Sequence, residues 1–356
     1  MARPDTAARP RGPAALVFTG VAESPGEGGR APRGRSTVIP SEIVERLRCP
    51  ACGEPVEEVG PEGGVRCPAG HRYAMRNGYL DCAQRAAAEG STDRTFASFG
   101  FEWNHFDDVR DEDEGFAEIY FKDLDLASLE GKVGLDAGCG KGRYTRFLAE
   151  HLTATAALDG SSAVEAAARN LGGLPSVLVV KSDLRSAPFA PASFDFISSL
   201  GVLHHLDDPQ EGFNRLATYL APGGRILLYL YSRPAEFGLR AAALSVASAL
   251  RKITVKLPHR LLKVVSAPIA SILYWGVVLP GEYGDRHGVA ALAGLPMSAY
   301  RGKPLRSLVL DTFDRLSAPV EHRYVWEELA PWFSGVGLVV DAARDETGWF
   351  VLAHRR

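Results

Sequence analysis

The chain has 356 residues, 46% of them hydrophobic, with 40 Lys and Arg against 43 Asp and Glu and a formal net charge of −3. That is enough material for one large domain and one small one, and the near balance of charge excludes a strong bulk attraction to polyanions. No repeat at a solenoid period is present. The five cysteines are an odd number, and no secretory pattern opens the sequence: the apolar stretch Ala14–Ala22 contains Thr19 and Gly20 and lacks a convincing cleavage site. A cytoplasmic location is the expectation.

Residues 1–40, dominated by Ala, Arg, Gly and Pro, read as a disordered tail. Residues 41–82 are of another kind. Cys49-Pro-Ala-Cys52 and then Cys67-Pro-Ala-Gly-His71 give C-x2-C followed after fourteen residues by C-x3-H, the ligand type and spacing of a tetrahedral zinc site. So short a segment, rich in Gly, Pro and charge, cannot build a core alone, and a structural Zn2+ on Cys49, Cys52, Cys67 and His71 would supply the missing folding energy. Cys82 is the substitute for His71 in an all-cysteine site, and unligated thiols or disulfides are the alternative to metal. Next comes an aromatic cluster, Phe96, Phe99, Phe101, Trp103 and Phe106, which reads as filler between a lid and the sheet. Arg94, Asn104 and His105 among them suit a closing flap, and the acidic continuation Asp107–Glu114 a solvated loop.

The most informative run is Leu135–Tyr144, LDAGCGKGRY. Val133, Leu135 and Ala137 bring a strand up, Asp136 stands at its carboxyl end, and Gly138, Gly140 and Gly142 let the backbone turn before a helix over Arg143–Glu150. No Lys-Ser/Thr pair follows the glycines, so this is not the phosphate loop of a nucleoside triphosphatase. An acid before the glycines suits a cationic ligand with an ammonium group. A second strand, Ala154–Leu158, ends at Asp159, placed to accept the hydroxyls of a ribose. A third, Val177–Lys181, ends at Ser182-Asp183-Leu184, where a carboxylate and a backbone amide suit an adenine edge. Taken singly each acid also reads as a cap or turn residue; together they match one adenosine with a charged tail. A fourth strand is expected over Phe194–Ser199, a helix over Phe213–Leu220, and a fifth strand over Arg225–Tyr231 after the turn Pro222-Gly223-Gly224. The sequence ends with a helix over Tyr324–Phe333 and strands over Val336–Ala342 and Trp349–His354, separated by the turn Asp345–Gly348.

Residues 93–231 with 311–356 resemble a class I S-adenosylmethionine-dependent methyltransferase, in the stretches LDAGCGKGRYTRFLA, LDGSSAVEAA, SDLRSAPFAPASFDFISSLGVLHHLDDP and APGGRILLYLY. The resemblance implies an α/β fold, a doubly wound seven-stranded Rossmann-like sheet of order 3-2-1-4-5-7-6 closed by a hairpin. It implies that Asp136, Gly138 and Gly140 line the methionine portion of the cofactor, that Asp159 holds the ribose, and that Asp183 and Leu184 border the adenine. Cys139, Gly142, Gly160, Ser161, Ser199 and Leu200 complete the expected cofactor-binding set. A base for the acceptor is sought after strand four, at His204 and His205, where an imidazole of near-neutral pKa suits the role; either ring can equally pack beneath the loop. His322 is the third candidate, with Glu321 and Tyr324 beside it, since related methyltransferases place this segment next to the acceptor.

The insertion 232–310 carries the apolar stretches Leu239–Leu250 and Val264–Leu279, with Arg251, Lys252, Lys256, Arg260 and Lys263 between them. It reads as a helical lid or dimer surface, as a roof over a hydrophobic acceptor, or as an interfacial anchor giving peripheral membrane contact through 232–281. A spanning helix is disfavoured by Pro268, Gly276 and Pro280. The leading functional expectation is methyl transfer to an oxygen or nitrogen of a small-molecule acceptor, a secondary metabolite, sugar or lipid-linked compound, by a monomer or homodimer. The alternative is an RNA substrate, because a zinc ribbon ahead of this core, followed by Asn77-Gly78-Tyr79-Leu80, resembles the ribosomal RNA guanine-N1 methyltransferases. The missing positive charge, the His-His pair and the long insertion depart from that pattern. A noncatalytic protein of the same fold is the third reading, opposed by the intact acid positions.

Overall fold

Four short apolar runs, each bounded by glycine or a charged residue, form the parallel strands β5 (Val133–Ala137), β6 (Ala154–Asp159), β7 (Val177–Lys181) and β8 (Phe194–Leu200). In the computed structural model, which describes residues 39–59, 63–83, 91–106, 111–234, 248–346 and 348–356, these strands are buried almost throughout, as helices on both faces of a parallel sheet require. The tail over 1–38, the start of the acidic stretch (107–110), residues 239–247 of the first apolar stretch and residue 347 of the last turn lie outside the described residues. Alternation sorts the side chains: Ile226, Leu228 and Leu230 of β9 (Leu220–Leu230) enter one core, Leu227 and Tyr229 the other.

The ladder order β7-β6-β5-β8-β9-β11-β10 is the expected 3-2-1-4-5-7-6. Its last two strands, β10 (Leu338–Asp345) and β11 (Trp349–Arg355), form the antiparallel hairpin. The helices α4 (Arg143–Leu148), α5 (Val164–Leu171), α6 (Pro209–Tyr219) and α11 (Trp326–Gly335) alternate with these strands, the last two starting a few residues off the expected bounds.

The ribbon is not set apart from this sheet. Its strands β1 (Glu57–Glu58), β2 (Gly64–Arg66), β3 (Arg72–Arg76) and β4 (Tyr79–Asp81) form an antiparallel meander, and β4 pairs in parallel with β7, Tyr79 opposite Val179 and Asp81 opposite Lys181. The hairpin between β3 and β4 turns on Asn77 (φ 48°) and Gly78 (φ 90°), the residue pair that a tight hairpin turn demands. Ile39 and, from the short helix α1 (Ser41–Val44), Ile43 are buried in the same core as β5 and β6, so the folded body begins before residue 41. The edge of the sheet is thereby covered by the cysteine-bearing segment.

Helix α2 (Ser91–His105) and α3 (Asp111–Tyr120) precede β5. The insertion is helical where described: residues 248–254, α7 (His259–Leu273), a π-helical turn over Tyr274–Val278, α8 (Leu279–His287), α9 (Ala290–Ala293) and α10 (Leu305–Ser317). It leaves and rejoins the sheet at one point, where Ser232 bridges Tyr324 and the Tyr324 amide donates to the Tyr231 carbonyl at 3.0 Å. Leu262 of α7, Phe313 and Leu316 of α10 and Phe101 of α2 pack together, fixing the insertion against α2.

Candidate active site

A cleft of about 800 Å³, solvent at its mouth included, opens over the carboxyl ends of β5, β6, β7 and β8 and is covered by α2. The glycine corner supplies its floor. Gly138 has φ 87°, and a Cβ there would lie 2.2 Å from Val202 Cγ2. Gly140 has φ 54°, and a Cβ would press on the Trp103 indole at 3.1 Å. Only glycine combines this backbone with such close approach. Asp159, the last residue of β6, turns into the cleft: its Oδ2 accepts the Gly140 amide at 3.0 Å, its Oδ1 the Ser161 amide at 2.8 Å and the Ser161 hydroxyl at 2.7 Å.

Of the expected cofactor set, Gly138, Cys139, Gly140, Asp159, Gly160, Ser161, Leu184 and Leu200 line this cleft, while Asp136, Gly142, Asp183 and Ser199 do not. The expected convergence of three carboxylates is therefore corrected to one. Asp136 is not the terminal residue of β5 and points under α4, where Thr145 Oγ1 donates to it at 2.6 Å and Ser198 Oγ at 2.9 Å; burial pushes its carboxyl up to about 6. It ties α4 to β5 and β8. Asp183 caps the 3-10 turn Leu184–Ser186 through the Arg185 amide at 2.8 Å and pairs with the Arg185 guanidinium at 2.5 Å, which is the local capping role open to any such residue. Ser199 Oγ donates to the Ala137 carbonyl at 3.0 Å, and Gly142 is the left-handed N-cap of α4, beneath Leu171.

The three histidines separate equally. His205 lines the cleft beside Phe99, ring centroids 4.8 Å apart. Its Nδ1 donates to the Val320 carbonyl at 2.8 Å, which leaves Nε2 as the basic nitrogen. Burial holds its pKa down at about 4, not near neutral as expected from the sequence, so the ring is neutral at pH 7 and a weaker base than a free imidazole. His204 is fully buried, stacked on Tyr231 at 3.9 Å, with its pKa depressed by burial well below the usual value. It does not line the cleft. His322 also lies outside it; its amide donates to the His204 carbonyl at 2.8 Å, which clamps the returning segment to the loop after β8. Glu321 is committed to Arg251 at 2.7 Å and Arg323 at 2.8 Å. Burial would push its carboxyl up, but the two guanidiniums hold it below its ordinary value. Of the three candidate histidines, one is thus a cleft residue and two belong to a supporting frame.

The sequence reading missed polar residues that the fold brings to the cleft. Lys141 and Arg143 line it next to the glycine corner, with both cations over the Trp103 ring at 5.9 and 5.3 Å; the signal was their place immediately after the glycines. Thr95 and Tyr144 join them. Phe96, Phe99 and Trp103 line the cleft, while Phe101 and Phe106 face Phe313 instead. Outside the cleft lining, Tyr231 donates to Asp314 at 3.3 Å, and burial pushes Asp314 up to about 7. Glu102 is driven well above the carboxylate range by burial and by Asp314.

At the ribbon, the candidate ligand atoms of Cys49, Cys52, Cys67 and His71 all lie within 4.8 Å of one another. The Nδ1 of His71 is 3.5 Å from the Cys49 sulfur and 3.3 Å from that of Cys67, and the sulfurs of Cys52 and Cys67 are 3.7 Å apart. Cys82 lies instead in the apolar core, where burial pushes its thiol up to about 12.

Residues 135–228 match the family described as "Methyltransferase domain". An uncharacterised protein of a Synechococcus strain is 39% identical over 105 residues, 28% of this chain and 25% of its own. The "Demethylmenaquinone methyltransferase" of Clavibacter sepedonicus is 32% identical over 110 residues, 31% and 45% of the two chains. The "Probable tRNA methyltransferase 9B" of Mus musculus is 30% identical over 105 residues, 29% and 22%. The chain thus spans less than half the length of each of these relatives. The sheet order, the glycine corner at Gly138 and Gly140, the Asp159 carboxylate in the cleft and the matched family together make residues 135–228 a class I S-adenosylmethionine-dependent methyltransferase domain.

Proposed function

We propose that the protein transfers a methyl group from S-adenosylmethionine to an oxygen or nitrogen of a small-molecule acceptor, and that its ribbon holds a structural Zn2+. The observation that carries the first part is the Asp159 carboxylate, aimed into the cleft and braced by the glycine corner. A carboxylate has about four acceptor positions; three here are taken by Gly140 and Ser161, leaving capacity for a hydroxyl of a ribose. Ser182 and Leu184 stand on the side where an adenine would lie, and Lys141 and Arg143 suit the carboxylate of a methionine tail. Bound there, the cofactor supplies a methyl on an already cationic sulfur. The chain's own work is alignment and exclusion of water, by α2 with Phe96, Phe99 and Trp103. His205, neutral with its tautomer set by Val320, takes the acceptor's proton at Nε2.

Calorimetric titration with S-adenosylmethionine tests this. The wild type binds and Asp159→Ala loses binding by at least about a hundredfold, whereas equal binding by the variant would remove the site assignment. A labelled methyl donor then reads whether label enters small molecules, lipid or RNA; salt-sensitive tight binding of ribosomal RNA fragments would favour the RNA reading.

A further inference from the structure

One face of the insertion has no partner among the described residues. Among the exposed large apolar side chains, Leu261 is 48% exposed, Val264 68%, Ile272 73% and Trp275 67%. At the α-helical rotation per residue these four fall within about 80° of one another, and exposed Tyr283 follows on α8, with Ile253 just upstream. The opposite face of the same helix is buried: Leu262, Ser266 and Ala270 of α7 and Val278 of the π turn face the protein. A large apolar strip left in water calls for an explanation.

Charge says what covers it. From Phe237 to Gly281 the sequence holds no Asp or Glu and six Lys or Arg. Lys252, Lys256 and Arg260, just ahead of the apolar strip in the sequence, are exposed, while Arg251 is withdrawn into its pair with Glu321 and Lys263 lies over the Phe106 ring at 5.1 Å. A tryptophan and branched aliphatics on one helix face, with an exposed tyrosine and exposed cations in the flanking segments, are the composition of an interfacial helix on an anionic bilayer. A second copy of the chain fits less well, since a two-fold contact would set the same cations against each other. The helical run His259–His287 is long and apolar enough to cross a membrane, but one side of α7 packs on α10 and α2, which favours a helix lying on the bilayer over one ringed by lipid.

We propose that the exposed face of residues 250–283 docks on an anionic lipid surface, the apolar strip entering the headgroup boundary and Lys252, Lys256 and Arg260 meeting lipid phosphates. The position of the face gives docking a use. Helix α7 packs through Leu262, Ile269 and His259 on Phe101 of α2, and the other side of α2, with Phe96, Phe99 and Trp103, covers the cleft. A docked protein therefore holds the cover of its cleft next to the bilayer, where an acceptor with a lipid tail resides. That last clause rests on the methyltransferase reading; the docking itself does not.

The test is co-sedimentation of the full chain with vesicles of phosphatidylcholine alone or mixed with phosphatidylglycerol, at low and high salt, with S-adenosylmethionine binding measured on every variant. The protein should pellet with the anionic vesicles, less so at high salt, and be released by an alkaline wash. The triple variant Lys252→Glu, Lys256→Glu, Arg260→Glu should lose about a hundredfold in partitioning. The double variant Ile272→Ser, Trp275→Ser should lose more than tenfold, and both should bind S-adenosylmethionine as the wild type does. Absence of binding to any vesicle, or equal binding to neutral ones, overturns the proposal. So does retention through the alkaline wash, which indicates a spanning helix, or a dimer in light scattering that the Ile272→Ser, Trp275→Ser variant dissociates while vesicles are ignored. Loss of cofactor binding in the wild type would sink the enzymatic reading and leave the vesicle result standing.

Discussion

The ribbon and the cleft each begin from a short spacing of chemically suited residues, yet they fare differently. Four candidate ligands, Cys49, Cys52, Cys67 and His71, gather within 4.8 Å, whereas of Asp136, Asp159 and Asp183 only Asp159 faces the cleft. Ligands in C-x2-C and C-x3-H pairs are brought together by one tight turn each, so local chain geometry settles most of the arrangement. A carboxylate at a strand end has no such constraint. Whether it points out over the sheet, under a helix or back to its own turn depends on its exact place in the alternation and on the donors nearby.

Several outcomes would break or sharpen this contrast. The largest concerns the ribbon: the purified protein should carry about one zinc per chain, lost with Cys49→Ser, and because structural zinc supplies on the order of 10 kcal/mol of folding energy, β1 to β4 should become susceptible to proteolysis. Metal analysis finding no zinc would return the cluster to unligated thiols. Next is the buried frame behind His205. Removing one partner of a buried ion pair costs about 3–5 kcal/mol, so Glu321→Ala should lower unfolding stability by that order in denaturant titration, and a loss below 1 kcal/mol would show that Arg251 and Arg323 do not depend on it.

Within the cleft, His205→Ala should lower kcat by about a hundredfold with KM little changed, while His204→Phe, which keeps the ring stacked on Tyr231, should leave kcat within a few-fold. Equal losses would cancel the distinction drawn between the two histidines. The pH dependence carries a sign. The folded protein holds His205 at about 4, against roughly 6.5 in the unfolded chain, so protons bind the unfolded state preferentially between these values. The contribution of this group to stability is present above about pH 6.5 and falls as pH drops toward 4. The acid limb of kcat/KM should lie near 4 as well; a limb at 6.5 would mean that another group is titrating. The smallest effect belongs to Asp183→Asn: the residue still caps its turn, and S-adenosylmethionine affinity should change by less than threefold.

Much of the fold was legible from the residues alone. The buried strands announced themselves as unbroken apolar runs, β7 within its expected bounds, and the turn chemistry at Gly138 to Gly142 located the corner. Less of the site was legible. Thr95, Lys141, Arg143 and Tyr144 reach the cleft from α2 and from the turn and helix after β5, and no periodicity signals that segments so far apart in sequence meet. The ribbon carries the same lesson at the level of architecture: its cysteine spacing reads as a module of its own, but Leu80 and Cys82 are buried in the main core and β4 extends the sheet.

What the sequence determined by itself is whatever is settled within a turn or a strand: the ligand cluster at 49–71, the glycine corner, the hydrophobic strands and, through their order, the doubly wound sheet. Tertiary structure decided which polar side chains face the cleft and which face of the insertion the other described residues leave exposed. Those outcomes turn on a single residue of register and on partners remote in the chain. Asp136 goes under α4 because Thr145 and Ser198 wait there, and Asp159, at the last residue of its strand, is free to turn outward.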